Sequence, residues 1–166
     1  MAQTATKPRD ENHAEASGCG SHGTFCWNEL MTRDVERVKK FYEETIGWTF
    51  SPMPMADGGT YWCAMVEGRP IAGMFPIDKP EFDGVPESWM SYLAVDDVDK
   101  RVAKAVKAGA KLMKPLFDIP GVGRVAILRE PGGAGVGWIT PVKVLSWLLP
   151  TIRRPLARTS ASFRMC

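Results

Sequence analysis

A chain of 166 residues with 45% hydrophobic and 24% charged side chains is long enough for one domain with a real core, and its balance is that of a globular protein. The net charge is only +2, and the spare positive charges fall mainly near the C-terminus, at Arg153, Arg154, Arg158 and Arg164. A nearly neutral body argues against nucleic acid and for a small-molecule or protein partner.

The four cysteines, Cys19, Cys26, Cys63 and Cys166, form no CxxC pair and no zinc-type spacing. The N-terminal stretch is polar, with no secretory apolar core, and no apolar run approaches the roughly twenty residues that span a bilayer. The expectation is a cytoplasmic protein with free thiols and no membrane insertion. Residues 1–23 lack apolar periodicity and are expected to form a tail. Both histidines, His13 and His22, fall within it and are read as solvated.

Residues 25–31 read as a strand. Alternation places Phe25, Trp27 and Glu29 on one face and Cys26, Asn28 and Leu30 on the other. Asp34 then caps a helix whose apolar stripe is Val35, Val38, Phe41, Tyr42 and Ile46, and Gly47 stops it. A strand begins at Trp48 and is interrupted by Pro52 and Pro54. Asp57-Gly58-Gly59 and Glu67-Gly68 are turn signals on either side of a strand over 60–66, and 71–75 is the next strand.

Residues 76–87, rich in proline and acids, form a linker, and the pattern then restarts. A strand over 89–95 leads to Asp96 or Asp97 as cap. A helix follows with Val98, Val102, Ala105 and Val106 on one face, and Gly109 ends it. Strands over 111–115, 124–129 and 134–140 complete the second module, with a turn at 118–123. Asp34-Val35 and Asp97-Val98 are equivalent across a period of 63 residues, as are Trp27 and Met90. Beyond Pro141 lies a short apolar run over 144–149 and then the basic end. Within this C-terminal extension, 142–166, the apolar run over 144–149 is expected to pack as a short helix on the body or on a second subunit, the alternative being interfacial membrane contact helped by Arg153 and Arg154.

These features together resemble the vicinal oxygen chelate superfamily, which includes glyoxalase I, extradiol dioxygenases, and fosfomycin- and bleomycin-resistance proteins. The resemblance rests on Asp34-Val35, Phe41-Tyr42 and Gly47-Trp48, then on Val95 to Val98 with Gly109-Ala110. Asp118-Ile119-Pro120, Gly123-Arg124 and Glu130 to Ala134 complete it, over 24–141. It implies an α+β fold in which two tandem βαβββ modules, 24–76 and 88–141, form a curved mixed sheet around a cleft, with helices on the outer face. It also implies a small-molecule ligand and, by analogy with the bleomycin-resistance proteins, a homodimer.

In the metal enzymes of that superfamily, a ligand stands seven residues before each helix-capping Asp, and an acid lies near each module's last strand. Carried over by position, those sites are Trp27, Met90, approximately Met74, and Gly137. None offers the nitrogen or oxygen donors such a metal needs, so no metal and no cofactor are expected. The candidate ligand-binding residues are Trp27, Glu29, Met74, Met90, Tyr92 and Gly137. Glu29 is the candidate catalytic acid/base, its pKa raised if it is desolvated.

The bland readings stand beside these. Trp27, Met74 and Met90 fill core space, and Glu29 is a structural carboxylate bonded to a neighbouring strand or to Arg124 or Arg129. The expected function is a glyoxalase-like protein that binds a small apolar or aromatic molecule in a metal-free cleft. The alternatives are a metal-independent enzyme using Glu29, a metal-dependent lyase or dioxygenase, and a partner-binding module whose cleft has decayed.

Overall fold

The computed structural model describes residues 21–142. The expected C-terminal segment over 144–149 and His13 lie outside these residues. Nine strands form one mixed sheet, curled but not closed. They are β1 (Phe25–Thr32), β2 (Thr49–Pro54), β3 (Thr60–Val66), β4 (Arg69–Pro76), β5 (Ser88–Ala94), β6 (Lys111–Leu112), β7 (Phe117–Ile119), β8 (Gly123–Arg129) and β9 (Gly135–Pro141). The order is β2-β3-β4-β1-β5-β9-β8-β6, with β7 also paired to β8. Helices α1 (Val35–Ile46) and α2 (Val98–Lys107) follow the first strand of each module.

The modules join through β1 and β5, which pair antiparallel with Asn28 opposite Ser91. Because the repeat period matches this register, equivalent residues of the two modules meet at the seam. Ser91 Oγ lies 2.8 Å from Asn28 Oδ1 on one side of the sheet, and Tyr92 Oη lies 2.9 Å from Glu29 Oε1 on the other.

Local chemistry explains most boundaries. Asp34 and Asp97 accept hydrogen bonds from the backbone N–H groups of Arg37 and Lys100, each at 3.0 Å, so both helices are capped as expected. Gly47 adopts φ 73°, the left-handed geometry that ends α1. Glu67 and Gly68 both take positive φ, 50° and 73°, as a tight two-residue hairpin requires.

The two helices lie on one face of the sheet. On that side Val95, Val98, Val102, Ala126, Leu128 and Val136 form a buried cluster. Lys39 Nζ sits 3.6 Å from the centroid of the Trp62 ring, tying α1 to β3. Arg124 pairs with Asp99 of α2 and with Asp118, which removes it as a partner for Glu29.

Several expectations are corrected. Strand β2 runs through Pro52 and Pro54, because it is an edge strand on which a missing N–H breaks no ladder bond. The stripe on α1 is not core: none of its residues is buried, and Phe41 and Ile46 are 56% and 57% exposed. Tyr42 instead stacks on Trp48, with ring centroids 4.6 Å apart. Val106 of α2 is exposed, while Val98 and Val102 are buried. The strand expected over 111–115 stops at Leu112, and part of the expected turn is strand β7. His22 is not merely solvated, since its Nδ1 accepts from the Asp96 N–H at 3.1 Å.

Candidate functional site

Strand alternation and register decide which side chains share the face opposite the helices. Glu29 is paired with Gly73 on β4 and Met90 on β5, and Trp27 with Tyr92. Tyr92 is paired with Gly137, and Cys63 with Gly73. Paired residues point to the same side of a sheet. Trp27, Glu29, Met90 and Tyr92 therefore do share one helix-free face.

They form a connected polar cluster. Tyr92 Oη donates to Glu29 Oε1 at 2.9 Å, and Trp27 Nε1 donates to Tyr61 Oη at 2.8 Å. Tyr61 also hydrogen-bonds Glu29. One carboxylate thus faces two phenol hydroxyls, with an indole N–H behind one of them. Each phenol ring lies over a glycine: a Cβ at Gly73 would overlap Tyr61, and a Cβ at Gly137 would overlap Tyr92. The rings lie flat on the sheet only because those positions carry no side chain.

Burial raises the Glu29 pKa above 4.5; hydrogen bonds from Tyr92 and Tyr61 and the charge of Lys114 offset this in part. The residue as a whole is part-buried, and its carboxyl is desolvated. Tyr61 and Tyr92 are pushed above the usual phenol range, first by burial and then by the Glu29 charge, so both remain protonated donors at neutral pH.

Two expected site residues stand elsewhere or act differently. Met74 pairs with Leu30 and Trp62, on the helix side, and is fully buried there. The carry-over by position missed by one residue, and a shift of one in a strand changes the face. Its neighbour Gly73 is the residue on the site's face. Gly137 is at the site, but the space above it holds the Tyr92 ring, so it supports Tyr92 instead of opening room for a ligand.

Tyr61 was missed by sequence reasoning. The available signal was its alternation with Cys63 across from Gly73, a glycine in a strand interior, which marks a close approach. A separate recess of about 310 Å³, lined by Asn28, Trp48, Ile71, Ala72 and Trp89, opens on the helix side and does not touch this cluster.

The donor set does not suit the metal centre of related enzymes. Among the described residues, no three His, Cys, Asp or Glu side chains gather to hold an ion. Around Glu29 the remaining polar atoms are two protonated phenols and an indole N–H, which are hydrogen-bond donors and poor metal ligands.

Residues 24–137 match the family described as the Glyoxalase/Bleomycin resistance protein/Dioxygenase superfamily, and the chain belongs to it. Among curated relatives, "Putative glyoxylase CFP32" of Mycobacterium tuberculosis (strain CDC 1551 / Oshkosh) is 40% identical over 116 residues, covering 69% of this chain and 44% of that protein. "Anthracycline biosynthesis protein DnrV" of Streptomyces peucetius is 28% identical over 123 residues, covering 68% of this chain and 45% of that protein. This chain thus spans less than half the length of these relatives.

Solved structures share the fold at low identity. Hypothetical protein BH1468 from Bacillus halodurans C-125 superposes with a TM-score of 0.60 at 11% identity, covering 76% of this chain and 99% of that one. Methylmalonyl-CoA epimerase from Mycobacterium tuberculosis gives a TM-score of 0.52 at 14% identity, covering 78% and 94%. Among the described residues, no helix is long and apolar enough to cross a membrane.

Proposed function

We propose that this chain binds a small, flat, mainly apolar molecule on the helix-free face, with a hydrogen-bonding end against Glu29, Tyr61 and Tyr92. The carrying observation is a desolvated carboxylate among aromatic side chains, with a phenol hydroxyl 2.9 Å away. Aromatic walls with a few convergent polar atoms suit such a ligand. A curated relative named for anthracycline biosynthesis supports a multi-ring aromatic compound.

The test is calorimetric titration with planar quinones and phenols, repeated on Glu29→Gln and Tyr61→Phe. The expected result is binding that weakens at least fivefold in either variant. Equal affinity in all three proteins would remove the site.

A second reading is favoured by the raised Glu29 pKa. A carboxylate whose pKa moves toward neutrality is a better general base than an ordinary one, and Tyr61 and Tyr92 can donate to an oxygen that gains negative charge. In that case Glu29→Gln abolishes turnover of a bound substrate and leaves its affinity nearly intact.

The same proposal includes a homodimer in the cytoplasm and no metal. The buried free thiol of Cys63 suits a reducing compartment. Light scattering and elemental analysis of the purified protein test the dimer and the metal. A monomer, or one equivalent of bound metal, overturns the corresponding statement.

A further inference from the structure

Among the described residues, the helix-free face of the second module carries cations without acids. Arg129 pairs with Gly135 and with Lys111 in the sheet, so both side chains lie on the face that holds Glu29 and Tyr92. Phe117 pairs with Val125 and belongs to the same face, and Lys114 Nζ sits 3.7 Å from the centroid of its ring. Lys111, Lys114 and Arg129 are all exposed, and none forms an ion pair among the described residues.

Acids do balance cations on the helix side of this same module. Arg124, Arg101 and Lys100 each pair with an aspartate there. The three cations of the helix-free face lack that compensation. Lys114 is near enough to the cluster for its charge to act on Glu29.

We infer that the ligand of this face carries an anionic group, a carboxylate or a phosphate, which sits on Lys111, Lys114 and Arg129 while its flat apolar end meets Glu29, Tyr61 and Tyr92. This rests on the binding reading above and adds the chemical class. Strands β1 and β8 are three steps apart in the sheet order. At about 4.8 Å per step the span is roughly 14 Å before curling, which suits about three fused rings with the charge at the far end. The cation–π contact holds the Lys114 ammonium near the site, and Arg129 supplies a fork for two anionic oxygens. A carboxylate ligand would be repelled at Glu29 itself, so the charged end is directed to the basic rim.

The test uses three matched probes: 2-(hydroxymethyl)anthraquinone, its phosphate ester, and anthraquinone-2-carboxylate. Affinities are measured by calorimetry on the parent chain at low and high salt, on Lys114→Gln and on Glu29→Gln. Both anions are expected to bind at least about tenfold tighter than the alcohol at low salt, with most of the gain lost in roughly 0.5 M salt. Lys114→Gln should cost each anion about threefold to tenfold and leave the alcohol unchanged. A larger gain for the phosphate ester assigns a phosphate, and equal gains assign a carboxylate.

If the alcohol binds as tightly as the anions and weakens in Glu29→Gln, the basic rim is refuted while the cleft reading stands. If the anions bind equally well to the parent chain, to Glu29→Gln and to Lys114→Gln, both fail. The salt series on the parent chain needs no variant to fold.

Discussion

Replacing Gly137 by Ala tests the geometry of the site most directly. A Cβ at this position would overlap the Tyr92 ring, whereas a Cβ at Gly135, two residues earlier on the same strand and face, would meet only Met90 Cε at 3.7 Å. In Gly137→Ala the Tyr92 ring must leave its place over the sheet, and the 2.9 Å bond from its hydroxyl to Glu29 is broken. Overpacking of this kind costs about 1–3 kcal/mol, and a hydrogen bond to a charged group contributes about 1.5–3 kcal/mol. The gain from replacing a strand glycine by alanine offsets roughly 0.5–1 kcal/mol. The expected net loss is about 2–5 kcal/mol.

Urea unfolding at pH 7 measures it, with Gly135→Ala as the control expected within about 0.5 kcal/mol of the parent or slightly above it. Adding Tyr92→Ala to Gly137→Ala removes the overlap, so the double variant should lose less than the two single losses combined. Gly137→Ala as stable as Gly135→Ala would refute the claim that Tyr92 rests on Gly137.

Further predictions concern other parts of the chain. Burial raises the Glu29 pKa, so the folded state binds that proton more tightly than the unfolded state, and Glu29 loses stability for the fold as pH rises from 4.5 through the folded pKa. Glu29→Gln does not titrate, and its stability relative to the parent should rise across that window in urea melts from pH 4 to 8. Parallel curves would contradict the desolvation. Asp34→Ala removes the cap of α1 and should cost about 1 kcal/mol in urea unfolding, with amide exchange faster in the first turn of α1. Because α1 buries no residue, an unchanged exchange rate would mean that the helix is held by something other than its cap. Tyr61→Phe leaves Trp27 Nε1 without its 2.8 Å acceptor and should shift the tryptophan emission spectrum, whereas Cys63→Ala, one place further along the same face, should not.

The sequence alone carried the repeat, and the repeat carried the fold. Asp34 and Asp97 each cap a helix after a strand, and glycines stand just past the ends of both helices; these are short-range signals that hold wherever the chain folds. Alternation in β1 put Trp27 and Glu29 on one side correctly, because the strand period of two needs no knowledge of neighbours, but it misplaced Phe25, which pairs with Leu93 across a bulge and takes the other side.

Tertiary structure decided what lies across from each of these residues. Met74 and Gly73 are adjacent in sequence, and only the pairing of β4 with β1 shows that Gly73, not Met74, faces Glu29. Tyr61 enters the site from another strand pair, and its hydroxyl reaches Trp27 and Glu29 because Gly73 lets its ring lie flat. The raised Glu29 pKa, and the cations of the second module that have no ion-pair partner among the described residues, are likewise properties of packing. Desolvation and charge compensation depend on which strands are brought together, and that is settled by long-range pairing the local sequence does not encode.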